Sequence, residues 1–391
     1  MTDDYNYPLA LTSQFRFCGN PFRLDFYNFC SFGCKYCFAR NLGGKRDFKV
    51  SYAKFEIIEK LFKKAFDSEE ESKDITIELL RHKVPIHVGG LADPFQPVEW
   101  KLKLNYKLIE LSNKYQYPLI FSTKTAYLPE EYWKILDTKL HAFQISLIGV
   151  SDDYIRKYED NTPLASERIK FLKELRDKNF WCSIRIQPVI DIQEVIKLCD
   201  LIDGIASYVT VEHIKINIEN PISMELFKDI LPKCKSKSKT RDLEIPITEK
   251  LENISKIKEH LKNTTMGVGD NDLHWLSESR CCCGVDTIGE NFNNYLKYNL
   301  TYFTTERLGK KIDQDEEIWI PKCKIGNILN SEIRIKGVEG FNDYVDMYCG
   351  KHNEFMCDGC SMKAKTNGII YSSGKGKMRQ VSLFNMENID E

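Results

Sequence analysis

The sequence predicts an α/β fold: a partial or full (β/α) barrel followed by a cysteine-rich C-terminal extension. Between residues 85 and 216, short apolar runs of strand length alternate with longer helical patterns. That alternation implies βαβ units and a parallel sheet. The cysteine loop, a glycine pair and Lys124 fall at the ends of such runs, and in such folds chemistry sits at the C-terminal ends of the strands. After about residue 277 the periodicity fades and cysteines accumulate. The expected division is a barrel domain with an N-terminal lead-in over 1–276 and a metal-binding domain over 277–391.

Taken in order, Phe22–Asn28 reads as a first strand feeding a cysteine loop. A helix at about 50–66 and an acidic, solvated helix at about 68–82 follow. Pro85–Gly90 is a strand ending in a glycine pair. Residues 99–115 form one helical pattern, with Leu104, Leu108, Leu111 and Tyr115 spaced to share a face. Strands at 118–123 and 142–148 flank a helix near 129–139. A strong amphipathic helix at 164–178 precedes a strand at 181–188. A helix near 192–203 precedes a strand at 208–216. A basic loop near 232–245, a helix at 246–262 and a short strand at 265–269 complete the pattern.

Composition narrows the class. The chain has 391 residues, 42% hydrophobic and 29% charged, an ordinary globular balance. A formal net charge of −1 gives no global pull toward nucleic acid or anionic lipid. Nucleic-acid contact would therefore need a local patch, for which Lys233–Arg241 and Lys375–Arg379 are the two basic stretches. The N-terminus lacks a basic region followed by an apolar one, so it does not read as a secretory signal. No apolar run approaches the ~20 residues that span a bilayer. Fourteen cysteines without an export signal point to a reducing cytoplasm, where they stay thiols or bind metal.

Cys30, Cys34 and Cys37 form the most informative motif. A C-x3-C-x2-C spacing puts three thiolates on one loop, able to bind three corners of a cubic iron–sulfur cluster. The missing fourth ligand leaves one iron open to a small molecule. Gly33 lets the loop turn tightly, and Tyr36 sets a ring beside the third thiolate. Part of a zinc site, reactive thiols and half of a disulfide framework are the other readings of three close cysteines. At the neighbouring strand ends, Gly89 and Gly90 read as a terminator or a close approach to a ligand. Asp93-Pro94 reads as a turn or a cofactor contact. Lys124 suits carboxylate binding, although an exposed lysine is the commoner case. Ser146 is a core hydroxyl or a ligand, and Arg168 and Arg185 are ion-paired spacers or site residues.

The cysteine run resembles the signature of radical S-adenosylmethionine (radical SAM) enzymes. The resemblance implies a [4Fe–4S] cluster on Cys30, Cys34 and Cys37, with the open iron chelated by the methionine amine and carboxylate. It further implies reductive cleavage to a 5′-deoxyadenosyl radical that abstracts hydrogen from a substrate. An electron donor of flavodoxin or ferredoxin type would supply the electron. Tyr36 matches the aromatic position that lies against the adenine. The segment His87–Glu99 looks like the second-strand motif of the spore photoproduct lyase branch, placing Gly89, Gly90 and Asp93 at the methionine amino end. Ser122–Thr125 and Gln144–Leu147 resemble the next strands, with Lys124 and Ser146 expected at the carboxylate. Pro163–Arg168 and Gln187–Ile190 are similar too, so the resemblance spans roughly residues 18–216. The DNA-repairing lyase carries a cysteine near the second strand end; Gly89–Asp93 has none, so the resemblance stops short of that repair reaction.

Seven cysteines occupy the tail: Cys281, Cys282, Cys283, Cys323, Cys349, Cys357 and Cys360. Cys357 and Cys360 form a C-x2-C pair, and soft thiolates suit a second [4Fe–4S] cluster or structural zinc. Metal-free buried thiols are the third reading. Cys18, Cys182, Cys199 and Cys234 read as packing thiols. Asp270–His274 reads as a turn that could also face the barrel mouth. The leading function is hydrogen abstraction from a nucleic acid base, a peptide or a small metabolite. The competing reading is a non-catalytic, zinc-stabilised module binding nucleic acid or protein, and a third is an activase for a partner protein.

Overall fold

The computed structural model describes residues 5–11, 20–41, 51–70, 72, 74–236, 242–270, 273, 276–279, 281–294, 369–374 and 377–382. The chain divides into two compact units. The first comprises Met1–Leu11, Phe22–Glu69 and Pro85–Thr265; the second comprises Thr12–Pro21, Glu70–Val84 and Met266–Glu391.

Seven strands of the first unit lie in chain order: β1 (Leu9–Leu11), β2 (Phe22–Leu24), β3 (Ile86–Val88), β4 (Leu119–Thr123), β5 (His141–Ser146), β6 (Cys182–Val189) and β7 (Tyr208–His213). β1 runs antiparallel to β2, and every pairing from β2 to β7 is parallel. Helices fill the crossovers: α1 (Phe55–Phe66), α3 (Glu99–Leu102), α4 (Leu104–Tyr115), α5 (Glu130–Trp133), α6 (Asp152–Tyr158), α7 (Ala165–Asp177) and α8 (Ile192–Ile202). This is the α/β architecture with a mostly parallel sheet that the alternation predicts.

Strand register separates the two faces of the sheet. Paired residues of parallel strands share a face, so Phe22, Leu24, Ile86, Val88, Phe121, Phe143, Ile184 and Val209 fall on one side, each at most 1% exposed. Phe143 meets Phe171 of α7 and Phe180 edge-on, and Phe121 packs on Phe95 at 5.1 Å between centroids. Removing this apolar face from water at about 25 cal/mol per Å² is what fastens the helices to the sheet. The other face carries Arg23, His87, Ser122, Gln144, Arg185, Gln187, Thr210 and Glu212. A polar sheet face opposite an apolar one is where a ligand belongs.

Several boundaries differ from those read in the sequence, for identifiable reasons. The single pattern at 99–115 is two helices, broken at Lys103, whose φ is 53°. The buried Glu99 carboxylate accepts the amides of Asn105 and Tyr106 at 2.8 and 3.0 Å, capping α4 from outside. The run at 208–216 is also two strands. β7 ends at His213, and β8 (Lys215–Asn217) joins a small antiparallel sheet of order β8-β10-β9, with β9 at Lys235–Ser236 and β10 at Asp242–Glu244. Extended backbone continues across the break, so period-two patterning does not reveal it. α9 (Pro221–Leu226) and α10 (Ile247–His260) complete the unit. α6 has no counterpart among the expected helices; Ser151 caps it by accepting from the Tyr154 amide.

In the second unit, α2 (Ile75–Arg81) is capped by Asp74. β11 (Thr265–Val268) starts at the last residue of the first unit, and Ser277 Oγ accepts from the Val268 amide at 2.9 Å. α11 (Glu290–Asn293) and the antiparallel hairpin β12 (Ile369–Gly374) and β13 (Lys377–Ser382) are further elements among its described residues. No described helix is long and apolar enough to cross a membrane.

Candidate active site

The cysteine loop after β2 is clamped from two sides. Gln96 accepts from the Ser31 amide at 2.9 Å and donates to the Phe29 carbonyl at 2.7 Å. On the other side the loop docks on the α6–α7 connection. Cys34 bridges Glu159 in antiparallel fashion, the Lys35 amide donates to the Tyr158 carbonyl at 2.9 Å, and the Asn161 amide donates to the Phe32 carbonyl at 3.1 Å. Gly33 has φ 68°, the left-handed turn that its place in the motif suggests.

Glu159 is the hub of the site, and nothing in its sequence context marks it. It is fully buried and accepts from Tyr36 Oη, Arg168 Nη2, Lys124 Nζ at 3.0 Å and Thr162 Oγ1 at 2.8 Å. Lys124 Nζ also lies 3.0 Å from Tyr36 Oη. Arg168 is fully buried, and its Nη1 donates to the Ser146 carbonyl at 2.9 Å. One carboxylate thus ties the cysteine loop to the C-terminal ends of β4 and β5. Burial would push the Glu159 carboxyl up, but the Lys124 and Arg168 charges and the bonds from Tyr36 and Arg168 hold it at about 2.

The β3 end is fixed in the same manner. Asp93 Oδ1 accepts from the Phe95 amide at 2.9 Å and Thr123 Oγ1 at 2.7 Å, and Oδ2 from the Lys124 amide at 2.6 Å. Burial raises Asp93 to about 6 against those bonds. Asp25 Oδ1 accepts the Leu91 and Ala92 amides at 2.7 and 3.0 Å, pinning the turn after Gly90. Gly89 has φ 95°, and a Cβ there would sit 2.5 Å from the Ser122 carbonyl oxygen and 2.6 Å from Pro94 Cδ. Gly89→Ala is expected to destabilise the protein by about 2–3 kcal/mol, read from chemical denaturation.

The structure therefore brings Cys30, Cys34, Cys37, Tyr36, Gly89, Gly90, Asp93, Lys124 and Ser146 to neighbouring strand ends. Burial raises Cys30 to about 12, with Asp93 and Cys37 adding to the shift and the Asp93 and Phe32 amides opposing it. Burial also raises Cys34, and Cys37 and Cys30 are among its electrostatic neighbours. Cys34 is buried, and Cys30 and Cys37 are half-buried on the same loop. Among the described residues no three His, Cys, Asp or Glu side chains converge to hold one metal ion. A cubic cluster instead takes each thiolate on a different iron, so this donor set fits it. The Ser31 hydroxyl, buried in the same loop without a hydrogen-bond partner, is a further polar group that such a ligand could meet.

The tail is only partly placed. Cys281 Sγ lies 3.1 Å from Cys283 Sγ, with Cys282 between them. Cys18, Cys323, Cys349, Cys357 and Cys360 lie outside the described residues, as do Asn271, Asp272 and His274, residues 237–241 of the first basic stretch and residues 375–376 of the second. Asp270 is buried, and Cys182 and Cys199 are buried packing thiols as read. Sequence reasoning missed Glu159, Gln96, Asp25 and Thr162. Asp25, Gln96 and Glu159 serve segments distant in sequence, and Thr162 matters only through its bond to Glu159, so their signal is three-dimensional.

Residues 24–202 match the family model of the radical SAM superfamily. No curated protein matches the chain. Among solved structures, a spore photoproduct lyase complexed with dinucleoside spore photoproduct aligns at 13% identity and TM-score 0.47, over 68% of this chain and 79% of that one. A mutant of that lyase with bound AdoMet aligns at 12% identity and TM-score 0.49, over 67% and 78%. Streptococcus suis SuiB bound to S-adenosylmethionine aligns at 12% identity and TM-score 0.43, over 84% and 75%. The family match covers the strands and the loop that build the site, and residues 24–202 carry a radical SAM domain.

Proposed function

We propose that Cys30, Cys34 and Cys37 ligate a [4Fe–4S] cluster and that S-adenosylmethionine occupies the strand ends beside it. When bound, these groups supply reductive cleavage of the sulfonium and a 5′-deoxyadenosyl radical for hydrogen abstraction. The observation that carries this reading is the Glu159 network, which holds a cation, Lys124, next to the cysteine loop at the β4 end. Lys124 and Arg168 share the one Glu159 carboxylate, and Lys124 stays partly exposed, so this cluster of side chains can take one more anion. The methionine carboxylate would complete it, with the Ser146 end of β5 alongside. Gly89, Gly90 and Asp93 shape the backbone at the methionine amino end, and Tyr36 stands between the cysteine loop and Lys124. The substrate is a nucleic acid base, a peptide or a small metabolite, and the electron comes from a flavodoxin- or ferredoxin-like donor in the cytoplasm. Cys281, Cys282 and Cys283 contribute, with tail cysteines, to a second metal site in a C-terminal domain from residue 277. The zinc-module reading leaves Lys124 and the glycine-ended β3 without a use.

Lys124→Met tests the carboxylate assignment. It removes one charged hydrogen bond, so S-adenosylmethionine affinity is expected to fall about 10- to 100-fold. Iron content should stay at the wild-type level, because no cluster ligand changes. Unaltered affinity in isothermal titration would refute the role of Lys124.

A further inference from the structure

The polar face of the sheet carries a charge that its surroundings leave unbalanced. Buried cations elsewhere in the first unit meet carboxylates: Arg168 and Lys124 meet Glu159, and Lys250 meets Glu244 at 2.5 Å. On the polar face itself, Arg23 meets Asp25 at 3.2 Å and Glu212 meets Lys215 of β8 at 2.5 Å. Arg185, half-buried on β6, differs. Its Nη1 lies 3.2 Å from Ser122 Oγ, 3.3 Å from Gln144 Oε1 and 3.3 Å from His87 Nε2, and its Nη2 donates to Gln187 Oε1.

All four partners are neutral. Burial, then the Arg185 and Arg23 charges, push the His87 imidazole down to about 3, so it is uncharged at any working pH. Gln187 passes its own amide on to Glu212, whose carboxylate already has Lys215. A guanidinium drawn out of water and bonded only to neutral acceptors gives up solvation that no counter-charge returns. These contacts meanwhile fix the fork in place, so an incoming anion meets an ordered partner. Register sets Arg185 beside Ser146 of β5 and Thr210 of β7.

We infer that Arg185 anchors an anionic oxygen group of the substrate, a carboxylate or a phosphate, on the polar face between β5 and β7. This deepens the radical SAM reading and rests on it, because it supposes that the same sheet face presents substrate to the adenosyl group. A planar fork suits either anion, whereas lysine would offer only a point charge. S-Adenosylmethionine is a second source of a carboxylate, so the test separates the two.

Inorganic phosphate is the probe, titrated at low ionic strength into cluster-containing protein saturated with S-adenosylmethionine. Binding is followed by the thermal midpoint and by phosphorus NMR line width. Arg185→Gln is expected to weaken phosphate at least about tenfold. Arg185→Lys, which keeps the charge and guards against a folding defect, should fall between. Both variants should bind S-adenosylmethionine with wild-type affinity. Equal phosphate binding by Arg185→Gln, or none by the wild type, would overturn the inference. So would S-adenosylmethionine affinity that falls with Arg185, since it would put the guanidinium on the cofactor. Failure of the underlying reading shows differently, as wild-type protein that binds no S-adenosylmethionine at all.

Discussion

Replacing any one of Cys30, Cys34 or Cys37 by Ala is expected to strip the loop of iron and sulfide. Cleavage of S-adenosylmethionine should drop to background, more than about 100-fold below the wild type; losing an outer-shell partner alone costs about 10- to 100-fold. The effect is large because two thiolates cannot replace three, and because the loop is already built. Gln96 and the Glu159 segment hold its backbone from both sides. The thiols themselves add little to that hold. Cys30, pushed up to about 12 by burial, is a neutral thiol until metal displaces its proton. Far-UV circular dichroism should therefore stay unchanged in Cys30→Ala and Cys37→Ala. Cys34 is buried, and its alanine variant should also lose about 1 kcal/mol of packing. A single-cysteine variant that keeps both iron and turnover would show that the loop is not the cluster site.

Glu159→Gln should have the largest effect on stability. It removes the carboxylate that pairs with both Arg168 and Lys124, which stay in place. Breaking a buried pair by deleting one partner costs about 3–5 kcal/mol. For a unit of this size that corresponds to a fall in thermal midpoint of roughly 6–20 °C. The pH dependence has a definite sign. Glu159 is held at about 2, below its ordinary 4.5, so its stabilisation is fully present above pH 4.5 and is lost as pH falls through about 2. Wild type and Glu159→Gln should therefore differ most at neutral pH and converge in strong acid. Adding Arg168→Met to Glu159→Gln should recover part of the loss, because the stranded guanidinium is gone. Additive losses in the double variant would mean that the two groups do not act as a pair.

The fold was legible where one residue pattern dictates one structure. Leu104, Leu108 and Leu111 mark the buried face of α4, and the apolar runs of β4, β5 and β6 mark strands covered by helices. The chemistry-bearing residues at strand ends were also legible, because the strand order makes those ends neighbours. Legibility failed where a distant side chain decides a local outcome. Glu99 splits one helical pattern in two by capping α4, and period-two patterning runs on through the change of sheet at His213. Glu159 was invisible for the same reason. Its partners lie 123, 35, 9 and 3 residues away, so no single local pattern carries it. Arg168 and Arg185 look alike in sequence, yet one is neutralised by a carboxylate and the other is not.

The most direct test of this account is 5′-deoxyadenosine formation by anaerobically reconstituted, dithionite-reduced protein supplied with S-adenosylmethionine. Cleavage that requires reductant, and that disappears with Cys30→Ala, Cys34→Ala or Cys37→Ala, is the predicted result. A fully loaded, reduced protein that binds S-adenosylmethionine and releases no 5′-deoxyadenosine would contradict it.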